Sequence, residues 1–293
     1  MEEHYATVNG LRLHYVSAGK GPLILFVHGF PEFWYAWKNQ LEAFGRDYRA
    51  VAPDMRGYNR SDKPADVKAY RAKHLVEDLR QLIDHLGGRP CVMVAHDWGG
   101  AVAWSFAVVH PDYLSRLVIV NAPHPIPFAR ALKSNPEQIA ASQYMLLLRD
   151  AKAERVLSED NFRRLEGMLS TFGEGAEQWL SDDDRSRYRE AWAQPGALTA
   201  SLNYYRVSPL YPPASGGTAE HLPDLDPAAF TVNVPTLVIW GERDRALRPV
   251  LLDGLNDVVP NLRIERIPEG SHWVIHEQPE RVNRLIREFI ESR

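Results

Sequence analysis

The sequence predicts an α/β fold: a mostly parallel sheet, helices on both faces, and a helical segment inserted late in the chain. Three observations predict it. Short runs that are apolar at every position, such as Leu23-Ile24-Leu25-Phe26-Val27 and 117–120, alternate with segments of helical period. That is the pattern of strands covered on both faces. Beyond Asn121-Ala122-Pro123-His124-Pro125 the alternation stops, and no convincing strand returns until Thr236-Leu237-Val238-Ile239-Trp240. Finally, the stretch from Cys91 to Gly100 passes from an apolar run through Asp97 into paired glycines, and a helix-like pattern follows from Ala101 to His110. A strand, an abrupt turn and a helix in succession are the unit from which such sheets are built.

Residues 5–8 and 11–16, joined by Asn9-Gly10, form a predicted hairpin with a type I′ turn. The strand at 23–27 ends in His28-Gly29-Phe30-Pro31, and a helix is expected over 33–44. A short strand at 49–52 leads to Pro53-Asp54. In 73–86 the apolar residues Leu75, Leu79, Leu82, Ile83 and Leu86 recur with helical spacing, and Gly87-Gly88 closes the segment. Past residue 125 the segments 138–148, 161–169 and 197–206 read as helices, the last starting after Pro195-Gly196. A proline- and glycine-rich loop over 207–227 returns to the sheet. Strands at 236–240 and 262–267 and an amphipathic helix over 279–291 complete the chain. The expected organisation is a core of 1–124 and 228–293, with 125–227 as a helical cap.

At 293 residues a chain buries about 75% of its unfolded surface, so the core needs no covalent staples. A 45% hydrophobic and 25% charged composition belongs to a globular protein that is neither disordered nor fibrous. The formal net charge is -4 and no basic block stands out, which argues against nucleic acid as the main ligand. The single cysteine, Cys91, excludes an internal disulfide and reads as inert core. The start, Met1-Glu2-Glu3-His4, carries no signal-peptide pattern, and no apolar run approaches the ~20 residues of a membrane span. A cytoplasmic protein without membrane attachment is expected, either a monomer or a homodimer.

Ligands of open α/β sheets bind beyond the carboxyl ends of the strands. Asp97, Asp244 and His272 all fall there, in the order nucleophile, acid, histidine. Asp97 stands in Ala95-x-Asp97-x-Gly99, the spacing of a nucleophile elbow with aspartate in the place of serine. Taken singly, each has a plainer reading: Asp97 as a helix cap, Asp244 as a turn residue, His272 as a solvated loop histidine. Their joint placement favours the catalytic one, and the positive end of the following helix favours an ionised Asp97. His28 and His96 read as structural.

The motifs His28-Gly29-Phe30-Pro31 and His96-Asp97-Trp98-Gly99-Gly100 resemble those of epoxide hydrolases of the α/β-hydrolase fold. So do Arg56-Gly57-Tyr58, Ser61-Asp62-Lys63-Pro64, Asn121-Ala122-Pro123-His124-Pro125 and Leu202-Asn203-Tyr204-Tyr205-Arg206, and the resemblance spans essentially the whole chain. Asn59 departs from it, standing where the family often has glycine. In that family two cap tyrosines face the nucleophile; Tyr205 matches one of them and Tyr144 is the best match to the other. The resemblance implies that Asp97 attacks an epoxide carbon to form an alkyl-enzyme ester while a tyrosine protonates the leaving oxygen. His272, oriented by Asp244, then activates water against the ester, with the N–H groups of Phe30 and Trp98 as the oxyanion hole. No metal or organic cofactor is implied. Trp34 and Trp273 are expected near an aromatic-rich pocket suited to a small apolar or aromatic epoxide.

The rivals are weighed on the same residues. A haloalkane or haloacetate dehalogenase shares the aspartate nucleophile. Haloacetate enzymes, however, carry carboxylate-binding arginines where Trp98 and Ala101 stand, and His-Trp roughly where Gln143-Tyr144 lies. A serine esterase lacks its serine at the elbow, and a non-catalytic binding protein has no need of the three polar strand-end residues.

Overall fold

A computed structural model describes residues 1–172 and 179–292. Its sheet has eight strands: β1 (Glu2–Val8), β2 (Leu11–Ala18), β3 (Leu23–Val27), β4 (Arg49–Pro53), β5 (Cys91–His96), β6 (Leu114–Val120), β7 (Thr236–Gly241) and β8 (Leu262–Ile267). Their spatial order is β1-β2-β4-β3-β5-β6-β7-β8. β2 pairs antiparallel with β1 and β4, and every other pairing is parallel. Asn9 and Gly10 both take positive φ, 48° and 74°, as a type I′ hairpin turn requires.

Strand periodicity sorts the core into two layers. Ile24, Phe26, Val92, Val94, Val118, Val120, Leu237 and Ile239 face one side of the sheet, where they join residues of α1 (Lys38–Phe44) and the final helix Pro279–Glu291. The alternate residues Leu25, Val27, Met93, Ala95, Leu117, Ile119 and Val238 face α2 (Ala72–Leu86) and α3 (Asp97–Val109) on the other side. Both faces are therefore covered, which is why the central strands are apolar throughout. Cys91 is buried and free.

Between β6 and β7 the regular structure is helical. It comprises α4 (Pro125–Ser134), α5 (Pro136–Ala141), α6 (Tyr144–Arg149), α7 (Ala153–Thr171, interrupted by non-helical backbone from Glu159 to Phe162), α8 (Asp182–Trp192) and α9 (Ala197–Val207). The short α10 (Val274–Glu277) and α11 (Pro279–Glu291) end the chain. Among the described residues no helix is long and apolar enough to cross a membrane.

Several boundaries differ from the sequence expectation. The helix expected over 33–44 opens as a 3-10 turn, Trp34–Trp37, where the Trp34 N–H donates to Asp54 Oδ1 at 3.0 Å. The helix expected over 138–148 is broken at Ser142-Gln143, where the Gln138 amide donates to Ser142 Oγ at 2.8 Å and to the Ala246 carbonyl at 2.9 Å. Helix α4 is not among the helices expected from the sequence; Pro125 occupies its first helical position and His124 caps the Ile126 N–H. Helix α8 was also missed. A capping box of Ser181 and Asp184 starts it, and its buried Tyr188 and Trp192 lie in a strongly charged run.

Candidate active site

Asp97 sits at the carboxyl end of β5 as the first residue of α3, with φ +50°. Such a backbone is sparsely populated for a non-glycine residue and persists only where its surroundings enforce it. They do so by close contact. A Cβ on Gly99 would lie 2.3 Å from the Val27 carbonyl oxygen, and one on Gly29 would lie 2.2 Å from Asp97 Oδ1. The strand end, the turn and the helix start are thus pressed together with no room for side chains at these two positions.

The two Asp97 oxygens have different neighbours. Oδ1 accepts the Phe30 backbone N–H at 2.7 Å. Oδ2 faces His272 Nε2 at 3.7 Å. The Trp98 N–H belongs to the first turn of α3, whose amides have no partner within the helix.

His272 lies in the loop after β8, buried, and shares a 2.7 Å hydrogen bond between Nδ1 and Asp244 Oδ2. Asp244 follows the end of β7. Its Oδ1 accepts the N–H groups of Ala246 and Leu247, both at 2.8 Å, and its Oδ2 also accepts the Asn121 amide at 2.8 Å. Burial acts to lower the His272 pKa. The charge and hydrogen bond of Asp244, with the charges of Asp97 and Glu32, outweigh burial and raise it to about 9. A nucleophile-type carboxylate, a histidine and an acid from three strand ends therefore meet in one place.

Tyr144 opens α6 and Tyr205 lies in α9, and both line one cavity of about 230 Å³ with Asp97 and Trp98. The two tyrosine rings meet edge-on, with centroids 6.3 Å apart. The Tyr205 ring stands edge-on to Trp98 at 5.1 Å and to Phe30 at 5.2 Å. Burial, followed by neighbouring groups that include Asp97, pushes both tyrosine pKa values well up, so both hydroxyls stay protonated. Among the described residues the rest of the lining is apolar, including Phe128, Met145, Leu225, Phe230 and Leu247, with Ser105 and Ser208 as further polar residues and no cationic side chain. The geometry suits covalent attack by a carboxylate on an apolar electrophile, next to protonated hydroxyl donors.

A family model described as the alpha/beta hydrolase fold matches residues 22–279. The chain belongs to the α/β-hydrolase fold family. Among its relatives is an AB hydrolase superfamily protein of Bacillus subtilis (strain 168), 39% identical over 98% of this chain and 97% of the relative. Another is epoxide hydrolase 3 of Xenopus tropicalis, 38% identical over 97% of this chain and 76% of the relative. Among solved structures, an epoxide hydrolase from Bacillus megaterium in complex with an inhibitor superposes with a TM-score of 0.90 at 37% identity. It covers 99% of this chain and all of the other.

Two polar residues of this α/β-hydrolase site are not among those expected from the sequence, although one opens the Asn121-Ala122-Pro123-His124-Pro125 motif and the other follows His28-Gly29-Phe30-Pro31. Asn121, at the end of β6, holds Asp244. Glu32, directly after His28-Gly29-Phe30-Pro31, is a buried carboxylate that accepts His276 Nε2 at 2.7 Å and Tyr188 Oη at 2.6 Å. Burial would raise its pKa, but His276 and His96 hold it well below the ordinary carboxylate range. Strand-end position was the available signal for Asn121. Glu32 has no local signal, since its partners lie far along the chain.

His28 and His96 have backbone partners, as a structural reading expects. His28 Nδ1 meets the Gly29 carbonyl at 2.9 Å, and its Nε2 accepts the Met55 N–H. His96 Nε2 meets the His272 carbonyl at 2.9 Å. Trp34 and Trp273, expected at the pocket, do not line the cavity. Trp34 packs edge-on to Phe33 and Tyr35. Trp273 is fully buried behind His272, edge-on at 4.6 Å.

Proposed function

We propose that this α/β-hydrolase converts small apolar or aromatic epoxides and water to vicinal diols, with the helical segment between β6 and β7 acting as a cap over Asp97. The observation that carries the reading is the pair of protonated tyrosines, Tyr144 and Tyr205, in the cavity of a carboxylate nucleophile. An epoxide oxygen leaves as a strongly basic alkoxide that remains attached to the substrate, and it needs a proton donor; a halide does not. Among the described residues the lining has no cation to bind the carboxylate of a haloacetate. The names of the Xenopus tropicalis and Bacillus megaterium relatives agree with this choice.

In the first step Asp97 Oδ2 attacks an oxirane carbon. The carbon–oxygen bond breaks, its electron pair stays on the epoxide oxygen, and Tyr205 or Tyr144 supplies the proton. Oδ1, already held by Phe30 N–H, becomes the carbonyl oxygen of the ester. In the second step His272 takes a proton from water, whose oxygen attacks the ester carbon. The charge that develops on Oδ1 falls on the Phe30 and Trp98 N–H groups. Collapse releases the diol with the former Oδ2, to which His272 returns the proton; the proton left on the Asp97 carboxyl then passes to His272, whose own first proton had reprotonated the tyrosinate after the first step.

His272 begins this cycle protonated at neutral pH. Esterification removes the Asp97 charge, one of the causes that raise the His272 pKa, so the first step prepares the histidine to act as a base in the second. The reading is tested with His272→Gln and styrene oxide. Mass spectrometry of the intact protein should show the mass of the epoxide added to Asp97, and an unmodified protein after incubation overturns the two-step mechanism. Chloride release from chloroacetate or 1-chlorobutane by the wild-type enzyme, without diol from any epoxide, overturns the substrate choice.

A further inference from the structure

Tyr205 has a neighbour that reaches away from the cavity. The Tyr204 side chain is buried, and its hydroxyl donates to the Arg56 carbonyl at 2.8 Å. That carbonyl belongs to an immobilised node. The Arg56 guanidinium bonds both Asp78 oxygens, each at 2.5 Å, and the Ala69 carbonyl at 2.7 Å. Asp78 Oδ1 also accepts the Asn9 amide at 2.9 Å. The node thereby joins the first hairpin turn, the loop after β4 and helix α2.

Helix α9 lies flush on that node. Gly57 has φ +90°, and a Cβ there would stand 2.8 Å from the Tyr70 ring and 3.0 Å from Ala200 Cβ, so the loop touches α9 without a side chain between them. The Tyr204 ring is enclosed by Tyr58 at 5.2 Å, Tyr70 at 5.7 Å and Trp98 at 5.8 Å. The Trp98 ring thus stands edge-on to both tyrosines, Tyr205 at 5.1 Å and Tyr204 at 5.8 Å.

We infer that Tyr204 is a positioning residue for proton donation: its hydrogen bond to the Arg56 carbonyl fixes α9 at the rotation and height that put the Tyr205 hydroxyl against the leaving oxygen. The inference rests on the proposed role of Tyr205 as proton donor. Adjacent helix residues are about 100° apart, and a 10° rotation of α9 moves a group ~8 Å from its axis by ~1.4 Å. Proton transfer needs a heavy-atom separation of about 2.6–3.2 Å, so a drift of that size takes the hydroxyl out of reach. The bonded Tyr204 hydroxyl opposes such a rotation.

Tyr204→Phe keeps the ring packing and removes the hydroxyl. Single-turnover kinetics with an aliphatic epoxide should show ester formation slowed about tenfold, with ester hydrolysis unchanged. In a Tyr205→Phe background the same substitution should change ester formation by less than about twofold, because its effect passes through Tyr205. Trifluoromethyloxirane, whose alkoxide is less basic, should lose less than the aliphatic epoxide. Equal losses in the two backgrounds, or equal slowing of both steps, overturn the inference and leave Tyr204 with a role in packing alone. Ester formation at the same rate with and without the hydroxyl overturns it while leaving the epoxide reading intact. A wild-type enzyme that forms no ester on Asp97 overturns both.

Discussion

Asp97 and His272 face one another at 3.7 Å, near enough for the Asp97 charge to act on the imidazole. The carboxylates of Asp244, Asp97 and Glu32 together offset the burial of His272 and lift its pKa to about 9. Only the Asp97 charge is lost during the proposed cycle, so it is the one that can act as a switch. Asp97→Asn reproduces the neutral ester without the substrate. The His272 imidazole resonance, followed by NMR against pH, should then titrate below the wild-type value. An unchanged titration shows that the switch does not operate. The sign also sets the pH dependence of ester hydrolysis, which should rise with pH as His272 loses its proton.

The turn between β5 and α3 owes its shape to glycines that admit backbone where side chains would stand. Gly99→Ala places a methyl group 2.3 Å from the Val27 carbonyl and 2.5 Å from that of His28, both of them backbone atoms that cannot swing aside. It should cost at least about 3 kcal/mol, the upper end for overpacking, and lower the melting temperature by several degrees. Gly167→Ala in α7 meets nothing within 4 Å and should stabilise by about 0.5–1 kcal/mol. Calorimetry of the two variants is expected to give shifts of opposite sign; a neutral Gly99→Ala refutes the steric account of the elbow.

Across the whole molecule, the helical segment is fastened to the sheet by polar contacts that bypass the cavity. Tyr188 donates to Glu32, Trp192 Nε1 to the Pro31 carbonyl at 2.6 Å, and Lys38 and Tyr35 reach Asp184. Glu32 ties this seam to the site, because the same carboxylate binds His276 and contributes to the His272 pKa. Tyr188→Phe removes one hydrogen bond to a buried charge and should cost about 1.5–3 kcal/mol, read in urea unfolding as a lower midpoint at unchanged slope. A smaller slope instead means that the helical segment unfolds separately from the sheet.

Strands β3 and β8 could be read from the sequence to the residue, and Asp97, Asp244 and His272 could be placed at strand ends. A two-residue period, a glycine turn and chain order are local signals that survive without coordinates. The break at Ser142, the helical identity of 125–134 and 182–192, and the partners Asn121 and Glu32 were not legible. Each depends on which side chains from distant segments meet: Gln138 with Ala246, Asn121 with Asp244, Glu32 with Tyr188 and His276. Pocket membership was legible only in part: Tyr144 and Tyr205 line the cavity as the resemblance implies, but the two tryptophans do not. Trp34 and Trp273 have the right composition and the right neighbours in sequence, yet packing turns both away from the cavity. By itself, then, the sequence determined the sheet, the elbow and the aspartate that stands in it, because these are written in short-range periods and spacings. Tertiary structure alone decided which oxygen of Asp97 meets Phe30 and which meets His272, and that the tryptophans Trp34 and Trp273 stay out of the cavity. Those choices are made by contacts between elements far apart along the chain.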